Sequence, residues 1–135
     1  MDGIITTGGA HHVKLTVTDV ARTRDFYTGL LGFTVAAEFG SVTLISNGSF
    51  LMGLSTAPEP EQAIANDRFD ENRVGLDHLS FGVADRRELE RASKVLAQHG
   101  ITHGDINDLT PLGISVMTFR DPDNIQLELT APLAP

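Results

Sequence analysis

Two stretches of the chain, HHVKLTVTD at residues 11–19 and DHLSFGVAD at residues 77–85, share the pattern His-x-x-apolar-x-Val-x-Asp. Equivalent residues lie 66 positions apart, from His12 to His78 and from Asp19 to Asp85. A repeated sequence unit is the signature of a repeated structural unit. The chain is therefore expected to contain one module twice, with a histidine at the start of each copy.

The first copy predicts the order strand, helix, strand, strand, strand. Apolar and polar residues alternate after His12, which is typical of a strand with one buried face. Asp19 is a suitable helix cap, and Gly32 suits the left-handed position that ends a helix. The Asn47-Gly48 pair predicts a type I′ hairpin turn. The predicted strands lie at 13–17, 33–39, 41–45 and 50–54.

The second copy predicts the same order. Asp85 and Glu88 form an aspartate version of the capping box, and they open a helix that Gly100 ends. The sequence Asp-Pro-Asp-Asn at 121–124 predicts a turn, because proline fixes φ and the Asp and Asn side chains bind nearby backbone. The predicted strands lie at 76–83, 101–106, 114–119 and 125–130.

These patterns predict an α+β fold, in which two repeated βαβββ modules form one curved, barrel-like mixed sheet with the helices outside. Module one is assigned to residues 10–55 and module two to residues 75–131. The acidic, proline-containing segment 56–74 is assigned as a linker with room for a short helix. We expect a single domain, because each module has too small a sheet to be stable alone.

The composition argues against several classes of partner. The 135 residues carry a formal net charge of −8, which disfavours binding to nucleic acid or to an anionic membrane. No apolar run approaches the ~18 residues that span a bilayer, and the first ten residues lack the features of a signal peptide. The chain has no cysteine, which excludes disulfides and thiolate ligands and fits a cytoplasmic protein.

Side-chain alternation places polar residues from three predicted strands on inward faces. The apolar set that starts at Val13 packs on the first helix, so His12 takes the opposite face. By the same argument His78 and Glu128 face inward from the first and last strands of the second copy. The other residues predicted to line this pocket are Lys14, Thr16, Ser80, Thr118 and Gln126.

Two imidazoles and one carboxylate on an open face match the facial triad that binds Fe, Mn, Zn, Ni or Co as a divalent ion. His12, His78 and Glu128 are therefore the candidate metal ligands. Each also has an ordinary alternative explanation. An inward histidine is more often a hydrogen-bonded core or rim residue, and a glutamate near a strand end is more often solvated.

Three motifs resemble the vicinal oxygen chelate superfamily, which contains glyoxalases, bleomycin-resistance proteins and extradiol dioxygenases. HHVKLTVTDVARTRDFYTGLLGF at 11–33 resembles the opening of its first module. GLDHLSFGVAD at 75–85 is similar to the opening of the second module, and FRDPDNIQLEL at 119–129 to its closing turn and ligand strand. The resemblance extends over about residues 10–131.

The resemblance implies paired βαβββ modules, a metal in the cleft, and ligand roles for His12, His78 and Glu128. Many relatives add a fourth ligand from the last strand of the first module, where this chain has Gly53. Glycine has no ligating group, so the site is similar to that of the three-ligand members. The resemblance also implies a homodimer and a small-molecule substrate, and an inward Lys14 would attract an anionic one.

Three functions follow from the resemblance. A glyoxalase-like lyase or isomerase is favoured, acting on a substrate that chelates the metal through adjacent oxygens, with Glu128 as ligand and proton acceptor. An extradiol dioxygenase is the first alternative, although Thr118 replaces the usual tyrosine. The second alternative is a bleomycin-resistance type of protein, which binds a drug or metabolite without catalysis. An enzyme is therefore the favoured interpretation, and a non-catalytic binding protein stays open.

Overall fold

The computed structural model describes residues 3–133, which form two compact units with their boundary after Ala65, inside the predicted linker. The first unit contains β1 (Val13–Thr16), α1 (Val20–Leu30), β2 (Thr34–Phe39), β3 (Val42–Ser46) and β4 (Leu51–Ser55), followed by a 3₁₀ turn at Pro60–Gln62. The second contains β5 (Leu79–Gly82), α2 (Arg86–Gln98), β6 (Asn107–Leu109), a 3₁₀ turn at Thr110–Leu112, β7 (Ile114–Arg120) and β8 (Gln126–Pro132).

Each unit is built on one four-stranded mixed sheet, and both sheets have the same strand order. The order is β1-β4-β3-β2 in the first unit and β5-β8-β7-β6 in the second. In each sheet the first and last strands of the module pair in parallel, whereas the other pairs are antiparallel. The α+β class and the repeated βαβββ module are therefore confirmed.

The helix of each unit packs against its own sheet. Helix α1 contacts β2, β3 and β4, and α2 contacts β7 and β8. Burial of the large apolar side chains between these layers supplies about 1.5–3 kcal/mol for each fully buried residue. The buried apolar residues of the first unit's first strand and of the second unit's last strand region are Leu15, Val17, Ile125, Leu127 and Leu129. Among residues 3–133, no helix has the length and apolar character needed to cross a membrane.

Both helices begin at the predicted caps. Asp19 accepts a hydrogen bond from the backbone N of Arg22, and Asp85 accepts one from Glu88, each at 3.1 Å. A side-chain cap of this kind satisfies an N–H group that has no partner within the helix and stabilises the helix by about 1 kcal/mol. The glycines predicted to end the helices, Gly32 and Gly100, have φ angles of +72° and +67°.

Two local predictions are wrong at turns and caps. Asn47 has no positive φ, so the type I′ hairpin is absent, and four residues separate β3 from β4. The Asn47 side chain instead accepts hydrogen bonds from the backbone N of Ser49 and Phe50, at 3.0 and 2.8 Å, and closes a wider turn. At α2 the Glu88 carboxylate binds Arg91 rather than completing the capping box, because the cation lies one helical turn away.

The predicted strand at 101–106 is also wrong. The hydrogen-bonded neighbour of β7 is β6, at Asn107–Leu109, and within the predicted segment His103 forms a single isolated bridge with Phe119. Glycine in a strand interior weakens the strand, and Gly104 stands in the middle of this segment. The remaining strands match their predictions to within a few residues at each end.

Residues 69–77, which we call the strap, lie between the unit boundary and β5. The strap is hydrogen-bonded to the Asp-Pro-Asp-Asn turn before β8. Phe69 N donates to Asp123 O at 3.0 Å, and the Asn124 side chain donates to Phe69 O at 3.0 Å. Asn124 has a left-handed φ of +67°, which asparagine tolerates better than most residues. The turn therefore fixes the path by which the chain enters β5.

An ion pair fastens the strap to β7. Arg120 donates two hydrogen bonds to the Glu71 carboxylate, at 3.1 and 2.5 Å, in the bidentate arrangement that guanidinium and carboxylate groups favour. The hydrogen bonds from Arg120 lower the pKa of Glu71 from 4.5 to about 2. A lowered carboxylate pKa means that the pair stabilises the fold while Glu71 is ionised.

Glu71→Gln should lower the urea midpoint of unfolding at pH 7, because the charged acceptor of Arg120 is lost. The contribution of Glu71 is complete above the unfolded pKa of 4.5 and is lost as pH falls towards about 2. The difference between wild type and variant, measured by urea denaturation, should therefore shrink across that range. Asp25→Asn is the control, since Asp25 pairs with its neighbour Arg24 in solvent. A difference that persists unchanged at pH 2 would contradict the assignment.

Candidate metal site

Three strands of the second sheet align the candidate residues in one row. In the parallel pairing of β5 with β8, Ser80 lies opposite Glu128. In the antiparallel pairing of β7 with β8, Thr118 lies opposite Glu128 on its other side. Residues directly opposite one another in a sheet share a face. The row Ser80, Glu128 and Thr118 therefore places three predicted pocket residues on one face.

His78 stands just before β5 and reaches the Glu128 carboxylate. The distance from His78 Nε2 to Glu128 Oε1 is 3.6 Å, and the two side chains are 40% and 14% exposed. Two ligands that each lie about 2.1 Å from a metal are about 3.0 Å apart at a right angle and about 3.4 Å apart at a tetrahedral angle. The observed separation is close to the second value, so this nitrogen and oxygen fit one ion after a small adjustment.

The orientation of the His78 ring is set by its neighbour in the sequence. His78 Nδ1 lies 2.7 Å from Asp77 Oδ1. An ionised carboxylate can only accept, so Nδ1 of a neutral ring carries the hydrogen and Nε2 has the free lone pair. Metal-binding histidines commonly donate their second ring N–H to a carboxylate in this way. The contact therefore prepares Nε2, the nitrogen that faces Glu128, to act as a ligand.

Gln126 holds Asp77 in place. Its side-chain amide donates to the Asp77 backbone O and to Asp77 Oδ1, both at 3.1 Å. Gln126 belongs to β8, the strand that carries Glu128, and Asp77 ends the strap. The Gln126 amide thus holds Asp77, which orients the His78 ring, in a fixed position relative to the strand that carries Glu128.

A short chain of hydroxyl groups leads to Glu128. Thr130 Oγ1 donates to Glu128 Oε1 at 3.1 Å, and Ser80 Oγ lies 2.5 Å from Thr130 Oγ1. Because the single Thr130 hydrogen is used towards the carboxylate, Ser80 must be the donor to Thr130. Glu128 Oε1 therefore accepts the hydrogen bond from Thr130, and the same atom faces His78 Nε2.

His12 stands just before β1, at the position in the first unit that corresponds to His78. Its Nδ1 lies 2.8 Å from Nδ1 of His11, and the two rings meet edge to face. A hydrogen bond between two Nδ1 atoms leaves Nε2 of His12 without a described partner. Both side chains are exposed. His12 therefore lies at the surface of the first unit, and its hydrogen bond to His11 leaves Nε2 as the ring nitrogen outside that contact.

The first sheet repeats the row of the second sheet with different chemistry. Lys14 lies opposite Gly53 in the β1–β4 pairing, and Leu44 lies opposite Gly53 in the β3–β4 pairing. Gly53 thus occupies the place that Glu128 occupies in the second unit. A Cβ atom built on Gly53 would lie 3.4 Å from the Lys14 Cγ atom, so the lysine stem covers the glycine.

The predicted site residues are brought together in part. Among residues 3–133, no group of three His, Cys, Asp or Glu side chains is close enough to hold one ion. His78 and Glu128 form a pair, with Ser80, Thr118 and Gln126 around them. Lys14 lies over Gly53, and Thr16 is an exposed residue opposite Ser55.

Sequence reasoning missed one residue of this network, Asp77, and it placed Thr130 on the inward face without giving it a role. Asp77 was overlooked because neighbouring residues of a strand point to opposite faces, but Asp77 and His78 precede β5, where that rule does not apply. Thr130 shares the face of Glu128 by alternation along β8, so the same argument that identified Glu128 predicts it.

Comparison with known proteins gives the family. Residues 9–129 match the profile of the Glyoxalase/Bleomycin resistance protein/Dioxygenase superfamily, and the chain belongs to this superfamily. The family identified from the three sequence motifs is therefore confirmed. The match includes His12, His78 and Glu128, and it spans both structural units.

Two relatives and one solved structure illustrate the similarity. Uncharacterized protein YwkD of Bacillus subtilis (strain 168) is 31% identical over 88% of this chain and 93% of its own length. Uncharacterized protein YaeR of Escherichia coli (strain K12) is 30% identical over 88% of this chain and 92% of its own. A crystal structure of a glyoxylase/bleomycin resistance protein/dioxygenase domain from Frankia sp. EAN1pec is 28% identical, with a TM-score of 0.73 over 94% of this chain and 93% of that one.

Asp77→Ala should change the tautomer of His78 in the metal-free protein. Loss of the carboxylate acceptor removes the reason for the hydrogen to reside on Nδ1, so the population with the hydrogen on Nε2 should increase. Two-bond ¹H–¹⁵N correlation spectra distinguish the tautomers. His99, which bonds through Nδ1 to Val95 O in helix α2, is the internal reference in the same spectrum. An unchanged His78 signal would show that Asp77 does not set the tautomer.

Proposed function

We propose that the protein is a metal-dependent enzyme of this superfamily, and that it acts on a small molecule which chelates the metal through two adjacent oxygens. His12, His78 and Glu128 are the proposed ligands of one divalent ion. The observation that carries the proposal is the contact of His78 Nε2 with Glu128 Oε1 at 3.6 Å, with Nδ1 of His78 held by Asp77. Imidazole and carboxylate are the donors expected for Fe, Mn, Zn, Ni or Co.

When bound, the ion supplies Lewis acidity to the two oxygens of the substrate. Glu128 then has a second role as the group that takes a proton from a carbon beside those oxygens and returns it to the neighbouring carbon. The Glu128 side chain is mostly buried, and the Thr130 hydroxyl orients one of its oxygens. A carboxylate that is fixed beside the reacting carbon can act as a general base. The reaction type is that of a glyoxalase-like lyase or isomerase.

Ring cleavage of the extradiol type is less well supported. The residue opposite Glu128 on β7 is Thr118, which has no acidic hydroxyl comparable to a tyrosine. His103, a histidine outside the ligand set, uses Nδ1 to bind the Gly104 carbonyl. The network of Ser80, Thr130 and Glu128 instead provides a single supported carboxylate, which favours proton transfer.

We further propose that the protein works in the cytoplasm as a homodimer. The His78–Glu128 pair belongs to the second unit and His12 to the first, so the third ligand comes from the same chain or from a second copy. The dimer is supported by what superfamily membership implies, and the location by the absence of cysteine from the sequence.

Removal of a ligand should weaken metal binding strongly. His12→Ala, His78→Ala and Glu128→Gln are each expected to lower affinity for Zn(II) or Mn(II) by more than about a hundredfold, because removing a supporting residue alone costs 10–100-fold. Asp77→Ala should cost less, about tenfold to a hundredfold. Equilibrium dialysis with elemental analysis measures both effects on folded protein.

His99→Gln is the matched control, since His99 lies at the end of helix α2 and binds its own backbone. The wild-type protein should bind about one divalent ion per chain, since each chain contains one His12, one His78 and one Glu128. If wild type binds no divalent ion, or if His12→Ala binds it normally, the three-ligand proposal is wrong. A protein that binds drugs or metabolites without a metal is then the better explanation.

Activity should separate the remaining alternatives. The metal-loaded protein is expected to convert a hemithioacetal or a 2-hydroxycarbonyl compound without consuming oxygen, and Glu128→Gln should abolish turnover. A panel of dicarbonyl, hemithioacetal and catechol compounds, followed by absorbance and by an oxygen electrode, tests this. Oxygen uptake with a catechol would instead assign ring cleavage.

A further inference from the structure

The segment between α2 and β6 extends the row of site residues beyond β7. His103 forms an antiparallel bridge with Phe119, so the next pair along the two segments is Gly104 with Thr118. The backbone N of Gly104 donates a hydrogen bond to Thr118 O at 2.8 Å, which matches this pairing. Residues directly opposite one another share a face. Gly104 therefore lies on the face of the second sheet that carries Thr118 and Glu128.

A side chain at residue 104 would fill the space beside Thr118. A Cβ atom built on Gly104 would lie 3.1 Å from Thr118 Oγ1, which is closer than an ordinary van der Waals contact. Gly104 and Thr118 are both half-buried, so protein bounds this space on one side and solvent reaches it on the other. The glycine therefore keeps a place open next to the row that contains Glu128.

The backbone does not require glycine at residue 104. Six glycines of residues 3–133 have the left-handed φ that other residues adopt only at a cost, and Gly104 is not one of them. Glycine in an extended segment often marks a point where a ligand or another part of the backbone approaches closely. The property that Gly104 supplies is therefore the absence of a side chain.

The two flanks of Glu128 differ in how they are occupied. On the β5 side, Ser80 and Thr130 are hydrogen-bonded to each other, and His78 approaches the carboxylate from the segment before the strand. On the β7 side, the Thr118 hydroxyl forms no hydrogen bond within the part of the chain that the structure describes, and the next position has no side chain. A ligand held at the His78–Glu128 pair therefore has room on the β7 side.

We infer that Gly104 sets the size of the substrate, because the open place beside Thr118 accepts the group that the substrate carries beyond its two chelating oxygens. This inference rests on the proposed metal-dependent function and specifies the class of substrate. The substrate is a chelating unit with a substituent larger than methyl, and a methyl group on residue 104 competes with that substituent for space. A misfit of one methylene group in a pocket changes binding by about 10–200-fold.

The experiment compares Gly104→Ala with Gly82→Ala in the full chain loaded with Zn(II). Gly82 also lacks a left-handed φ and shares the face of Glu128, but it lies on the β5 side, opposite Thr130, and a Cβ there would meet nothing within 4 Å. The probes are acetohydroxamate and benzohydroxamate, which chelate through the same two oxygens and differ in a methyl and a phenyl group.

Titration calorimetry should show a selective loss in Gly104→Ala. Affinity for benzohydroxamate should fall by about tenfold or more relative to wild type, and affinity for acetohydroxamate should change little. Gly82→Ala should bind both probes as wild type does. Equal changes for the two probes in Gly104→Ala, or the same selective loss in Gly82→Ala, would overturn the inference. Wild type that binds acetohydroxamate and excludes benzohydroxamate would overturn it too.

Thr118→Ile and Thr118→Val test the same space from the neighbouring strand and leave the glycine unchanged. Isoleucine adds volume towards Gly104, so it should weaken benzohydroxamate binding selectively. Valine has nearly the shape of threonine and should bind both probes nearly as wild type does. An equal loss in the two variants would show that the hydroxyl group matters and the space does not. This pair keeps the inference testable if Gly104→Ala folds poorly, which urea denaturation would reveal.

Metal affinity separates this inference from the proposed function. Gly104→Ala should bind Zn(II) as wild type does, because the atoms within 4 Å of the added Cβ belong to Thr118 and to no proposed ligand. If Gly104→Ala folds and loses Zn(II) binding, residue 104 has a structural role and the inference is wrong. If Zn(II) binds and the selective loss is absent, the inference is wrong and the metal-site proposal stands. If wild type binds no Zn(II), both fail.

Discussion

The parallel pairing of the first and last strands of each module is the constraint on which the proposed chemistry depends. A histidine before the first strand and a glutamate in the last strand are 50 residues apart in the second module, from position 78 to 128. The β5–β8 register brings them within reach of each other, because Ser80 is set opposite Glu128. A shift of one residue in β8 would turn Glu128 to the other face of the sheet. The register is therefore as important to the site as the identities of the ligands.

That register is maintained from outside the sheet as well as within it. The strap before β5 is held to the Asp-Pro-Asp-Asn turn and, through Glu71, to Arg120 at the end of β7. Gln126 adds a contact from the first residue of β8 to Asp77. These contacts lie between the segments that enter β5 and β8, so they position His78 relative to Glu128 before any ligand binds. Side chains that are already held in place lose less conformational entropy when they bind a metal than side chains that must first be ordered.

The sequence predicts the repeat, the order of the elements and the face of Glu128 in β8, because hydrophobic periodicity and strand alternation are local properties. It fails where a side chain competes with the expected backbone geometry, as Asn47 does in its turn and Glu88 does at its cap. It also fails at Asp77, since alternation holds inside a strand and this residue lies before one. The pairing partners of β8 are contacts between distant segments, so no local pattern could place Ser80 and Thr118 on either side of Glu128.

The two modules share a strand order and differ in the charges of their equivalent residues. Both copies begin with a histidine whose Nδ1 is hydrogen-bonded, to His11 in one case and to Asp77 in the other. The last strands then diverge, with Gly53 in one and Glu128 in the other, and the first strands diverge with them. The second module therefore has a carboxylate opposite the serine of its first strand, whereas the first module has a lysine in the place of that serine and a glycine opposite it.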